Sequence, residues 1–553
     1  MKYFLFFLIP VVISQSVPKP TCDPSKEVSV RYSSTSNRIY VESLDGTLGG
    51  CMTLTGIYEK LQPNETVLSE TSGEWFLGSE LIVEDGITLE IYGTSVGGDC
   101  DYLKMKSDSQ GSVFIRAHGG SLDISNTKVT SWDMSINGVD TNIEDTRAYL
   151  SAISEVLVDE NDTCKGVAKN NMGEARMDIE KSEISHLGYK MAEAWGISWK
   201  LRGLCNDNSN EDDYEGIAVY GDIRDSDIHD LYFGHYSYGA SGSVIKGNKF
   251  YNHIGYCIDP HNRSSNLTIS GNEMYSCGDH GAIWSKWCRN VVFENNHVHD
   301  NARVGVFPHF LSDGAVIVNN IIENNGDSGI AFLESSGGLV LNNVVKKNEK
   351  NSIRFSVGSR DNIVGRNLFE DNMGYDVYTY EGNDPVVEVD DGRPTENVFF
   401  ENTFSGNLGG FRFDDSVKSQ FLGNMVSDSE VFEINNSDGI LFVSNDFPEE
   451  MEFKITDSCV EGIMNGSDCG EFDVFSEDSI TYVSPTVSPT VSFTVSPTVS
   501  FTMSPTVSPT VSPTVVSPTV VSFTMPTSSS ESNVVIHKSL LFIQFIIGLI
   551  ALF

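Results

Sequence analysis

Residues 291–300 read VVFENNHVHD; one step upstream, 267–276 read LTISGNEMYS, and before that SVIKGNKFYN fills 243–252. The same form returns downstream as VIVNNIIENN (316–325), LVLNNVVKKN (339–348), NIVGRNLFED (362–371) and VFFENTFSGN (398–407). Aligned on the central Asn, these place Asn248, Asn272, Asn296, Asn320, Asn343 and Asn367 at gaps of 24, 24, 24, 23 and 24 residues. The Asn recurs at Asn402, Asn424 and Asn445; the wider gap before Asn402 fits one repeat plus the insertion YEGNDPVVEVDDGRP. Such a period is too long for heptads, lacks a leucine-rich consensus and has no helical spacing. Short apolar strands separated by Asn/Gly turns predict an all-β, right-handed parallel β-helix, a solenoid in which each repeat is one coil. Asn side chains in register should hydrogen-bond from coil to coil.

Working outward, a looser strand–turn pattern runs from about Val113, and 133–175 and 203–214 read as insertions. Residues 17–110 are expected to form an N-terminal cap and the first strands, 111–450 the β-helix catalytic domain, and 451–478 a C-terminal cap. Residues 1–16 have the charge, apolar run and small-residue end of a secretory signal peptide. Residues 479–530 are built from SPTV and SFT units and read as a disordered Ser/Thr/Pro-rich stalk. Residues 531–553 combine a polar spacer and a short apolar tail, the pattern of a GPI-attachment signal or a short membrane anchor. The expected location is extracellular, at the cell surface. Secretion makes the ten cysteines candidates for disulfides, with Cys277/Cys288 and Cys459/Cys469 as close pairs. Sequons start at Asn64, Asn161, Asn262, Asn266, Asn435 and Asn465, and Asn262, next to His261, is expected to stay unmodified.

The chain carries 36 Lys+Arg against 77 Asp+Glu, a formal net charge of -41, which argues against nucleic acid and anionic membranes as partners. Residues 244–311 depart from this: six Lys/Arg meet five Asp/Glu, and six of the eleven histidines lie there. An anionic sugar could bind such a strip. Within it, Tyr256-Cys257-Ile258-Asp259-Pro260-His261 places a phenol, a carboxylate and an imidazole in six residues. Counting from the ladder Asn, and allowing one residue of register error, His261, Lys286 and His309 fall on consecutive coils of one sheet face. Asp259 shares that face by parity unless Pro260 introduces a bulge. Tyr256 is read as the start of the same strand. A uronic acid has a weakly acidic C5 proton beside its carboxylate, and its removal needs charge neutralisation, a base and an acid. Lys286, with a protonated or hydrogen-bonded Asp259, can neutralise the carboxylate; His261 and Tyr256 can serve as base and acid in either order. Arg263, His280, Arg289, Arg303 and His309 are candidate substrate-binding residues. Reprotonation on the opposite face gives epimerisation; loss of the 4-O-glycosidic bond gives lyase chemistry. Phosphate-loop and GxSxG motifs are absent from the sequence. Without paired CxxC motifs no structural zinc is expected, and no metal or cofactor is assigned.

Tyr256-x-x-Asp259-Pro260-His261, followed one coil on by His280-Gly281-Ala282-Ile283-Trp284-Ser285-Lys286, resembles the catalytic segment of mannuronan C-5 epimerases, which make alginate. Weaker likenesses are GGSLDISNTKVTSWD, ISHLGYKMAEAWGISW and LYFGHYSYGA, so the resemblance covers roughly 110–450. It implies a right-handed β-helix, His261 and Tyr256 as the acid/base pair, Asp259 in support, and polymannuronate or alginate as substrate. A polyuronate lyase and a non-catalytic glycan-binding surface β-helix are the alternatives. A monomer is expected. Cys257 replaces the usual Gly, and Lys286 stands where Arg is usual, a point charge in place of a bidentate fork. The calcium-binding G-G-x-G-x-D repeats of some secreted members are absent from the sequence, so no calcium array is expected.

Overall fold

A computed structural model describes residues 17–44, 49–61, 66–159, 162–168, 174–203, 217–382 and 391–462. The signal peptide, stalk and C-terminal tail read from sequence lie outside these residues, as do Asn64, Asn161, Asn465, Cys205 and Cys469.

The described chain is an all-β solenoid of three long sheets with 17, 15 and 16 strands. Nearly every pairing joins one coil to the next in parallel, and the winding is right-handed. One coil visits the three sheets in turn. Asp259–His261 lies in the first, Leu267–Ser270 in the second and Glu273–Tyr275 in the third, before Ala282–Ser285 returns to the first. Parallel strand pairing begins at Arg38–Ser43, against Glu80–Val83, and ends at Val460–Glu461. The segment 133–175, read as an insertion, is only partly one. Tyr149–Glu155 is a full member of the first sheet, pairing with Phe114–His118 on one side and Gly196–Arg202 on the other. The helix Leu54–Leu61 buries Leu54 and Ile57 in the core near the N-terminal end.

Every corner of the coil has its own polar ladder. The Asn column read from sequence runs unbroken from Asn248 to Asn445. In each step a side-chain Nδ2 donates to the next Oδ1 at 2.9–3.1 Å, and the same Oδ1 accepts the preceding residue's backbone N–H. It crosses the long 367–402 interval at 2.9 Å. The residue before each ladder Asn is left-handed, as with Gly271 (φ 63°) and Asn295 (φ 55°), which is why Gly and Asn recur there. A second Asn ladder, Asn301–Asn325–Asn348–Asn372–Asn407, lines the corner between the third and first sheets. Serines line the remaining corner, Ser335 Oγ accepting from Ser312 N–H and Ser359 Oγ from Ser335 N–H. Buried polar groups at the turns are thereby satisfied, which a buried corner requires.

The interior is stacked by the same periodicity. Trp199 and Trp284 are fully buried under the first sheet, and phenylalanines pile along the axis, for example Phe411 on Phe432 at 4.6 Å. Cys257 and Cys277 form a disulfide, as do Cys22 and Cys51. The Cys277/Cys288 pairing read from sequence is not formed. Cys288 is a free, buried thiol on the serine corner, whereas Cys277 occupies the second Asn ladder's position, one coil ahead of Asn301. Cys459 is disulfide-bonded as well.

Candidate active site

The strand Asp259–His261 sits mid-way along the first sheet. Tyr236 lies opposite Asp259 and Tyr238 opposite His261 on the upstream coil. Downstream, Ser285 lies opposite His261 and His309 opposite Ser285. Pro260 makes no bulge: pairing to the next coil resumes with the same offset on both sides, at Ile258/Ala282 and His261/Ser285. The missing N–H of Pro260 removes one rung without shifting the register. Asp259 and His261 therefore share the outer face, as their parity requires.

His261 is half-buried, and its Nδ1 faces the Oδ1 of Asn262. That contact puts the ring proton on Nδ1 and the lone pair on Nε2. Burial, aided by the charge of Lys286, pulls the His261 pKa down to about 4, so the ring is neutral at physiological pH. His309, two coils on and about 10 Å further along the axis, is hydrogen-bonded to Ser285 Oγ at 2.9 Å. Burial, with His280, His261 and Lys286 contributing, lowers His309 to about 3.

Lys286 is not on the strand. It opens the corner that follows, where Lys286 and Trp287 are both left-handed (φ 65° and 62°). Asn262–Arg263 and Phe310–Leu311 make the same paired left-handed turn one coil earlier and later. Backbone bonds from Asn262 N–H to Ser285 O (2.9 Å) and from Lys286 N–H to His309 O (3.2 Å) stack these corners. Such backbone costs of order 1 kcal/mol or more per residue and persists because the stack enforces it. It carries Lys286 to the rim beside His261 and His309, on both of which its charge acts.

Asp259 is 3% exposed and has no Lys or Arg ion pair among the described residues. Burial, with Asp279 as a neighbouring like charge, raises its pKa well above the carboxylate range. It is thus biased toward the neutral acid, a hydrogen-bond donor. Tyr256 belongs to the turn before the strand, not to the strand itself. Its ring stacks parallel to His280 (5.7 Å, 2°) and leans on Phe233 (4.9 Å). Burial, reinforced by Asp279 and Asp259, raises the Tyr256 phenol to about 12.

Of the candidate binding residues, His280 is a platform. It is buried under Tyr256, accepts the Val304 N–H on Nδ1 at 3.0 Å, and is lowered by burial to about 4. Arg303 is exposed and its Nε lies 3.7 Å from Asp279. Arg263 sits in the left-handed corner beyond His261, and Arg289 past the next corner, where its carbonyl accepts the Asn266 N–H at 3.0 Å.

Two residues of this wall escaped the sequence reading. Tyr236 precedes Asp259 in its column, and its ring centre lies 6.1 Å from that of His261. Arg354 lies further down the Asp259 column, beyond Ile283, Phe307 and Ala331. Its Nη1 donates to Tyr380 Oη at 3.3 Å, its guanidinium lies over Phe307, and its buried Nε has no partner. Arg354 stands eleven residues after Asn343, as Asp259 stands eleven after Asn248, whereas Tyr236 lies upstream of the first ladder Asn and has no such signal.

Fold and site define a parallel β-helix protein with an acid/base cluster and cations on the outer face of one sheet. Within that class the chain is similar to the mannuronan C5-epimerases. "Mannuronan C5-epimerase AlgG" of Azotobacter vinelandii is 26% identical over 314 residues, 56% of this chain and 53% of that protein. A mannuronan C5-epimerase of Pseudomonas syringae pv. tomato is 29% identical over 230 residues, 41% of this chain and 39% of its own. The chain thus spans about half or less of the curated relatives it matches. The crystal structure of the periplasmic alginate epimerase AlgG superposes with a TM-score of 0.53 at 21% identity, over 76% of this chain and 85% of that one. The family described as "Periplasmic copper-binding protein (NosD)" matches residues 205–389 and 312–459. The resemblance read from the Asp259–His261 and His280–Lys286 segments is borne out by these matches.

Proposed function

We propose that this chain epimerises β-D-mannuronate to α-L-guluronate at C5 within an alginate-type polymer. The observation that carries the proposal is the placing of Asp259 and His261 on the outer face of one strand, with Lys286 in the corner one coil on and close enough for its charge to act on His261. On this reading Lys286 and the neutral Asp259 take the uronate carboxylate, so that negative charge spreading from C5 meets a positive charge and a hydrogen-bond donor. His261 Nε2 removes the C5 proton. Tyr256, whose raised pKa keeps its phenol protonated, returns a proton from the opposite face. Along the sheet Arg354 would meet the polymer downstream, its Nε having no hydrogen-bond partner, whereas Lys200 and Arg202 upstream and Arg412 further on are held by Glu193 and Asp414. Arg263, Arg289 and Arg303 would serve the same polymer from the corners, and His309 would border it one coil beyond Ser285.

Polymannuronate incubated with the protein should gain guluronate signals in proton NMR without new ultraviolet absorbance. Unsaturated, ultraviolet-absorbing chain ends would instead assign a lyase.

The domain division given above, secretion, N-glycosylation and attachment by a GPI or short C-terminal anchor belong to this proposal, supported by the sequence patterns at 1–16, 479–530 and 531–553. So does a monomeric working form, since a single chain carries the whole set of groups.

A further inference from the structure

The third sheet carries a separate cluster on its outer face. Glu273–Tyr275 and His297–His299 are adjacent strands, with Glu273 opposite His297 and Tyr275 opposite His299. His297 and His299 are two apart and therefore point to the same side. Their ring centres are 4.1 Å apart. One ligand atom from each of Glu273, His297 and His299 lies within 4.8 Å of the other two.

The hydrogen bonding around His299 is that of a ligand. Its Nδ1 lies 2.7 Å from Asp300 Oδ2, which fixes the ring proton on Nδ1 and leaves the lone pair on Nε2. That Nε2 is buried and has no hydrogen-bond partner. The nearest carboxylate oxygen, Glu273 Oε1, is 3.6 Å away, too far for a hydrogen bond and suited to an intervening ion. The ring is held in place by a parallel stack on Tyr275 at 5.0 Å and 3°. His297 Nε2 is 2.8 Å from Glu323 Oε1. Lys249 and Lys346 lie 3.6 and 3.3 Å from Glu273 and Glu323, so the carboxylates also have ordinary surface partners. Neither lysine reaches His299, whose Nε2 lone pair stays without a hydrogen-bond partner.

We propose that Glu273, His297 and His299 bind a divalent transition-metal ion of the zinc type. Asp300 orients His299, and Glu323 orients His297 or supplies a fourth ligand. Two imidazoles and a carboxylate suit zinc, whereas calcium and magnesium prefer all-oxygen sites. The expectation of no zinc rested on cysteine spacing, and this donor set uses none.

The test titrates the full chain, stripped by a chelator and then freed of it, with Zn²⁺ alone by calorimetry. Wild type should bind zinc, and His297→Gln/His299→Gln should bind one equivalent fewer. The difference reads this site apart from His186, His229 and Asp230, whose ligand atoms also lie within 4.8 Å of one another. Asp300→Asn should weaken the same site by about 10–100-fold. His297→Gln alone, a partly exposed substitution, serves if the double variant does not fold. No zinc uptake by wild type at about 1 mM, or an unchanged stoichiometry in the variants, would overturn the proposal.

Discussion

If His261 is the base that removes the C5 proton, its ionisation sets the acid limb of the reaction. An unperturbed imidazole titrates near 6.5, whereas burial and Lys286 place His261 at about 4. At a pH of about 5.5 a group with the ordinary value would be about 9% neutral, against about 97% for one titrating at 4. The structure thus predicts nearly full activity at that pH, roughly tenfold above what an unperturbed histidine allows. The causes of the shift have signs that can be tested one at a time. Lys286 lowers the pKa, so Lys286→Gln should move the limb to higher pH as well as reduce the rate. The Asn262 hydrogen bond raises it, so Asn262→Ala should move the limb to lower pH. The assay is the initial rate of guluronate formation at subsaturating polymannuronate, since kcat/KM reports the free enzyme. Circular dichroism at each pH separates titration from unfolding. A limb near 6.5 in wild type, or shifts opposite to these in the two variants, would refute the reasoning.

Asn296→Ala should cost about 4 kcal/mol in denaturant unfolding, because it removes four buried hydrogen bonds, those from Asn272 N–H and Nδ2 and those to Ile269 O and Asn320 Oδ1, at about 1 kcal/mol each. Asn324→Gly, at an exposed left-handed position, should stay within about 0.5 kcal/mol of wild type in the same measurement. Replacing Cys257 and Cys277 together by Ala should cost about 3 kcal/mol, the loop-closure entropy for a separation of 20 residues, read as a lower unfolding midpoint. Arg354→Gln should raise KM for the polymer about tenfold with little change in kcat, because a charged hydrogen bond contributes about 1.5–3 kcal/mol.

The fold was legible because one Asn column kept a step of 23 or 24 residues from Asn248 to Asn367 and returned at Asn402, Asn424 and Asn445, and a solenoid translates such a step directly into stacking. The second Asn column was equally present, always five residues after the first, but His253 and Cys277 interrupt it at the coils nearest the site. The wall was legible in part. Parity placed Asp259 and His261 correctly, and column counting reached His309 through Ser285. Lys286 and Tyr256 were read as strand residues because strands here are only three or four residues long. A one-residue error in such a strand passes from sheet to corner. Paired left-handed non-glycine residues, which carry Lys286 out to the rim, leave no compositional mark. Tyr236 and Arg354 join the site only through register with neighbouring coils.

The most direct measurement of the central claim is proton NMR of polymannuronate incubated in deuterated water with wild type and, in parallel, with His261→Ala. The structure predicts guluronate carrying deuterium at C5 with wild type and an unchanged polymer with the variant. Equal conversion by both proteins, or no exchange at C5 with wild type, would contradict the assignment of His261 as the base.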